Sequence, residues 1–262
     1  MKDSLVKAVE LAELKLEKSN TPVDKQFNAS TQTGLFKISL VGDVAKEKYL
    51  FISVSGKGDI QVNGLQNDDS QETHLCSGEN DITCSFLVSD MEKLINSPSG
   101  FRFSAKSISS ASSPITVSAY AGDHLDLKAN QRQTVILKNI ETLPASVIVT
   151  PLENTSKIRI MLKSHPMRKF AALNAYLNLN TGSFPSASNH DEQFVHLDSF
   201  RSAFTAYSGD LAFCGFENKT CTYRVLLETD GVVGFQVGVH VSGVIEDIGT
   251  DRRYVEFIHS VR

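Results

Sequence analysis

Apolar and polar residues alternate with period two along most of this chain, in short runs that end at turn-forming residues. A strand buried on one face produces this pattern, because successive side chains point to opposite faces of a sheet. In the N-terminal half it predicts strands at Leu35–Val41, Tyr49–Ser55, Asp59–Val62, Cys84–Ser89, Phe101–Ser107 and Ile115–Tyr120. In the C-terminal half it predicts Thr134–Lys138, Ser146–Thr150, Lys157–Leu162, Leu173–Leu179, Phe194–Leu197, Thr222–Glu228, Gly234–Val241 and Tyr254–Ile258. Gly56-Lys57-Gly58 and Asn63-Gly64 read as turns. Leu5, Val9, Ala12 and Leu16 are spaced for a helix, but comparison of the two halves favours a strand from about Glu13 to Lys18.

The halves repeat each other. Cys76-x-x-Glu79-Asn80 followed by Thr83-Cys84-Ser85-Phe86 returns as Cys214-x-x-Glu217-Asn218 followed by Thr220-Cys221-Thr222-Tyr223. Asn67-x-Asp69-x-Gln71-x-x-His74-Leu75 returns, at one constant spacing, as Asn189-x-Asp191-x-Gln193-x-x-His196-Leu197, and Pro22 matches Pro144 at the same spacing. A period this long is a duplicated domain and not a solenoid repeat, and 262 residues suit two domains. The expected fold is therefore all-β: two tandem antiparallel β-sandwich domains of jelly-roll or immunoglobulin-like type, each with a local disulfide loop. Their expected bounds are 1–127 and 128–262, with an insertion at about 198–213.

Two close cysteine pairs at matching places suit local disulfides, Cys76 with Cys84 and Cys214 with Cys221. The alternatives are four unpaired buried thiols, or one zinc site on which both pairs converge from separate domains. Disulfides imply an oxidising compartment, hence an extracellular or cell-surface location. Sequons at Asn218, Asn154 and Asn28 are candidate glycosylation sites, and Asn218 is placed best, within the second cysteine loop.

The recurring Asn67/Asp69 and Asn189/Asp191 pairs offer hard oxygen ligands, so calcium is the one cofactor to consider. Their alternative role is an Asx turn that satisfies loop N–H groups. His74 and His196 read as strand histidines, and in Asp123-His124 and His190-Asp191 the neighbours would point to opposite faces if they lay in strands. Phe184, Phe200, Phe204 and Tyr207 either present an aromatic surface to a partner or fold back over the sandwich edge. Gly231–Val241 alternates without a charged residue; it would pair with a neighbouring chain if it were an edge strand.

No nucleophile elbow, zinc-protease helix, phosphate loop or dinucleotide motif occurs. Net charge is −4 without a run of basic residues, which argues against a nucleic-acid partner, and no apolar run is long enough to span a membrane. Asn174-Ala175-Tyr176-Leu177-Asn178-Leu179 followed by Phe184-Pro185-Ser186, with Asp59-Ile60-Gln61-Val62 in the corresponding place, resembles the pre-peptidase C-terminal type domains. The cysteine loop is similar to loops in repeated domains of large protist surface proteins. The Asp-x-Asp-Leu-Tyr motif usual in the pre-peptidase C-terminal type domains is absent from both copies. The resemblance implies binding, shielding or assembly, and no chemistry. The expectation is a structural or adhesive tandem module of a secreted or surface protein, a filament subunit assembling head to tail with itself or with other surface proteins. The alternative is a glycan- or protein-binding module; an enzyme is the third reading.

Overall fold

The computed structural model describes residues 11–27, 33–65, 72–95, 100–107, 114–128, 132–137, 140–149, 155–165, 173–178, 183–194, 201–207, 221–229 and 233–243. The first nine strands are β1 (Leu11–Leu16), β2 (Val23–Phe27), β3 (Thr33–Leu40), β4 (Tyr49–Ser55), β5 (Asp59–Leu65), β6 (Glu72–Glu79), β7 (Ile82–Leu87), β8 (Phe101–Ser107) and β9 (Ile115–Gly122). The next nine are β10 (Leu125–Lys128), β11 (Arg132–Leu137), β12 (Thr142–Val149), β13 (Thr155–His165), β14 (Leu173–Asn178), β15 (Glu192–Phe194), β16 (Arg201–Tyr207), β17 (Cys221–Thr229) and β18 (Val233–Gly243). A 3-10 helix (Gly42–Lys46) and one α-helix, α1 (Val88–Ile95), complete the described elements. The protein is all-β and sandwich-like.

Two small sheets run β1-β3-β8-β5-β6 and β10-β12-β17-β14-β15, and one long sheet runs β16-β13-β18-β11-β7-β4-β9-β2. In the first half β3-β8-β5-β6 faces β2-β9-β4-β7, the strand order of a jelly roll. In the second half β12-β17-β14-β15 and β11-β18-β13-β16 repeat that order strand for strand. Three pairings depart from the expected antiparallel scheme: β1 runs parallel to β3, β10 to β12, and β7 to β11. The last of these joins the two sandwiches into one continuous sheet.

The join explains a break in the sequence pattern. Tyr49-Leu50-Phe51-Ile52 and Val135-Ile136-Leu137 are apolar at every position, which marks strands buried on both faces. Leu50, Ile52 and Ile136 enter the first core with Leu14, Ile38 and Phe103. Tyr49, Phe51, Val135 and Leu137 enter the second core with Leu143, Val147 and Tyr223. The two small sheets therefore lie on opposite faces of the long one. Polar atoms are buried at the same join: Thr83 Oγ1 accepts from Gln133 Nε2 at 2.6 Å and lies 2.8 Å from Ser53 Oγ. Tyr49 donates its hydroxyl to the Thr142 carbonyl at 2.6 Å.

Several sequence expectations shift. β16 takes the place that β7 holds in the first sandwich, so Arg201–Tyr207 belongs to the repeat and not to an insertion. Cys221 opens β17, the counterpart of β8, whereas Cys84 lies on β7; the two cysteine loops are thus not at equivalent places. In the second half the counterpart of β7, β16, ends before the second cysteine loop begins. Pro22 precedes β2 but Pro144 lies within β12, so that correspondence fails too. β18 is interior, between β13 and β11, and cannot recruit a neighbour as an edge. Asn63-Gly64 continues β5 through a bulge after Val62 instead of turning. The first strand starts at Leu11, and Val88–Ile95 forms a helix that buries Val88 and Met91, one turn apart. Tyr254–Ile258 lies outside the described residues. No described helix is long and apolar enough to cross a membrane.

Candidate binding surface

Of the expected site residues, Cys76 and Cys84 form a disulfide at a sequence separation of 8. Both are about 1% exposed, and the bond ties β6 of the small sheet to β7 of the long sheet. Asn80 stands just inside this hairpin with φ at 61°, a conformation asparagine tolerates. Its N–H donates to the Gly58 carbonyl at 2.8 Å and its Oδ1 accepts from Gly58 N–H at 3.1 Å. Gly58 itself has φ at 83°. The Asn of the cysteine motif thus clasps the β4–β5 turn. Cys214, Asn28, Asn154, Asn218, Asn67, Asp69, His196 and Phe200 lie outside the described residues.

The outer face of the first small sheet carries a polar network. After the bulge, Asn63 is only 2% exposed. Its Nδ2 donates to Glu72 Oε2 at 3.0 Å and its Oδ1 accepts from Gln61 Nε2 at 3.0 Å. Lys106 Nζ reaches both Glu72 oxygens at 2.7 Å, and Ser104 Oγ donates to Oε1 at 3.5 Å. His74 sits at the rim, its Nδ1 3.4 Å from Gln61 Nε2.

The outer face of the second small sheet is aromatic and cationic. The loop from β14 to β15 doubles back through a tight turn in which Ser186 N–H donates to the Asn189 carbonyl at 2.9 Å. Asn189 N–H donates to Ser186 Oγ at 3.1 Å, and Asp191 N–H donates to the Leu177 carbonyl at 3.0 Å. Both residues are exposed. The turn lays Phe184 over the Arg224 guanidinium at 4.8 Å, and Arg224 donates to Ser146 Oγ. Arg224 Nε is buried without a hydrogen-bond partner. His190 packs against Tyr176 at 5.1 Å. Burial, then the Glu228 carboxylate, raises the Tyr176 hydroxyl pKa against the opposing pull of Gln193. Phe184 therefore folds back over the sheet; Phe204 and Tyr207 lie in β16.

His124 stands where the chain passes from the first sandwich to the second. Its Nδ1 meets Asp123 Oδ1 at 2.5 Å and its Nε2 meets Asp126 Oδ1 at 3.3 Å. Its ring also packs on Phe184 at 5.6 Å. The Asp126 hydrogen bond raises the imidazole pKa; burial opposes this and Asp123 adds to it. Burial alone would raise Asp123, but hydrogen bonds from His124 and Asn20 hold it below the usual range. Asp123 and His124 meet because they occupy a bend between strands, where the alternation of a strand does not apply. Both ring nitrogens face carboxylates, which leaves none for proton transfer to a substrate. Among the described residues no three His, Cys, Asp or Glu side chains gather as for a metal ion.

No family model matches the sequence, and no curated protein matches it. Among solved structures the chain is weakly similar to the pre-peptidase C-terminal domain of a collagenase from Bacillus anthracis. Identity is 12% over 45% of this chain and 94% of that one, with a TM-score of 0.30. PNGase F, a glycosylasparaginase from Flavobacterium meningosepticum, matches at 7% identity over 86% of this chain and 100% of that one, TM-score 0.26. The extracellular region of zebrafish Gpr126/Adgrg6 matches at 10% identity over 90% of this chain and 38% of that one, TM-score 0.21. These are distant likenesses between chains, and no activity passes from those proteins to this one.

Proposed function

We propose that this chain is a structural or adhesive tandem module of a secreted or cell-surface protein and performs no catalysis of its own. The observation that carries the reading is the continuous sheet, whose strands β4 and β11 send alternate residues into two different cores. A join of this kind fixes two sandwiches as one stiff body, which suits spacing, shielding or assembly. The buried disulfide supports an oxidising location, with glycans at Asn218, Asn154 or Asn28. The two domains divide at the bend between β9 and β10. Assembly with itself or with other surface proteins runs through sheet edges, head to tail in a filament.

The second reading, a glycan- or protein-binding module, is favoured by the Phe184–Arg224 stack and the half-buried polar face around it. The Asn189/Asp191 turn is the place to look for calcium. Electron microscopy and light scattering of the full chain, with surface labelling of unpermeabilised cells that express it, test the first reading. Ordered assemblies or cell-surface protein support it. An intracellular monomer that turns over a small substrate overturns it.

A further inference from the structure

We propose that Lys106 and Asn63 join through an isopeptide bond between their side chains, formed by the folded chain itself with Glu72 as the proton carrier. The three residues meet on the outer face of the first small sheet, where β5 lies between β6 and β8. Asn63 stands opposite Ser104 and Gln61 opposite Lys106, so Lys106 is the diagonal neighbour of Asn63, within reach of a long side chain. One carboxylate oxygen holds both groups: Glu72 Oε2 accepts from Lys106 Nζ at 2.7 Å and from Asn63 Nδ2 at 3.0 Å. Lys106 Nζ lies equally near Oε1 at 2.7 Å, and Ser104 Oγ donates to that oxygen at 3.5 Å. A surface ion pair needs only its two charges. This pair also carries a carboxamide that is 2% exposed and whose oxygen accepts from Gln61 Nε2 at 3.0 Å.

The parts of an acyl transfer to an amine are thus in place. Glu72 takes a proton from the Lys106 ammonium, and the freed lone pair of Nζ attacks Asn63 Cγ. Negative charge develops on Oδ1, where the hydrogen bond from Gln61 strengthens as that charge grows. Glu72 hands a proton to Nδ2, the Cγ–Nδ2 bond breaks and the carbonyl re-forms. The second proton lost by Nζ leaves with ammonia as ammonium, so Glu72 ends ionised as it began. The products are a secondary amide and an ammonium ion, and no oxidant or cofactor is consumed. Water is the competing nucleophile, and burial of Asn63 keeps it from Cγ. Holding the amine beside the amide replaces an encounter in solution by a step within one molecule. The bond crosses from β5 to β8, while the disulfide crosses from β6 to β7. The first sandwich thereby gains a second covalent tie, one that a reductant does not open. Such a tie suits a load-bearing module, yet it stands or falls independently of that reading.

Intact mass and tryptic mapping of the full chain, made without glycosylation and reduced before measurement, provide the test. The folded protein should weigh less than its sequence by the mass of one ammonia. Trypsin should fail to cut after Lys106 and should release a branched peptide that joins the segments of Asn63 and Lys106. Lys106→Arg keeps the cation and Glu72→Gln keeps both the amine and the amide; each should restore the full mass. Circular dichroism matched to wild type separates a lost reaction from a lost fold in these variants. Lys37→Arg, on a neighbouring strand of the same sheet, should leave the branched peptide in place. Wild type at full mass, with trypsin cutting after Lys106, shows a plain ion pair and overturns the proposal. Ammonia lost from the Asn63 segment alone marks the succinimide open to an Asn63-Gly64 sequence and overturns it as well. A branched peptide that persists in folded Glu72→Gln overturns it too, because the proton carrier is then another group.

Discussion

Phe51→Ala tests the shared wall. Phe51 lies on a strand of the first sandwich, is 0% exposed, and belongs to the core of the second. Its ring packs on Tyr120 at 4.7 Å and on Tyr49 at 6.1 Å between centroids. Truncating a buried phenylalanine costs about 3–5 kcal/mol, the transfer energy of the ring plus the cavity it leaves. At roughly 2–4 °C per kcal/mol for a chain of this size class, the unfolding midpoint should fall on the order of 10 °C. Leu50→Ala, one residue away but in the first core, should cost about 2–5 kcal/mol. The discriminating measurement is hydrogen exchange on both variants. Phe51→Ala should weaken protection in β12, β14 and β17, which belong to the other sandwich, and wild type should unfold in one calorimetric transition. Two independent transitions, with β12 and β17 untouched by Phe51→Ala, would refute the shared wall.

Reducing Cys76–Cys84, or replacing both residues by serine, should cost about 2.5 kcal/mol by the chain-entropy estimate for so short a loop, and denaturant titration reads this directly. Tyr49→Phe removes the hydroxyl that bonds Thr142 across the join and should cost about 1 kcal/mol in the same titration. The folded His124 pKa is raised above its unfolded value. Its stabilising contribution is therefore complete below about pH 6.5 and is lost as pH rises through the folded value. His124→Gln should flatten the stability profile over that window, and an unchanged slope would show that the two carboxylates do not hold the protonated ring.

The strands were legible where one face of a segment meets a core, as in Phe101–Ser107 and Ile115–Gly122, because alternation is the direct trace of one-sided burial. β2, β6 and β10 left little trace. Asp24, Lys25 and Gln26 are exposed on an edge, Glu72, Thr73 and His74 lie on a polar rim, and Leu125–Lys128 is only four residues long. The cysteine loops misled because short motifs align more readily than the strand between them, and β16 was lost in the gap. The Arg224–Phe184 stack was hidden, since it depends on a loop returning over β17, and nothing local to Arg224 or Ser146 announces that return. The join did leave a signal. Fully apolar runs at Tyr49–Ile52 and Val135–Leu137 are the mark of strands with two buried faces.

That signal also limits how the protein can grow. The first sandwich joins the second by offering β7 to β11 and by covering Tyr49 and Phe51 with the second small sheet. β16 and β2, the ends of the long sheet, are the counterparts of β7 and β11. The edge β2 bears exposed Asp24 and Lys25, a pattern that discourages strand addition. The β2 end of the long sheet thus resists a further sandwich added by the rule of the internal join. Growth of a filament, on the reading proposed above, has to use edges other than β2.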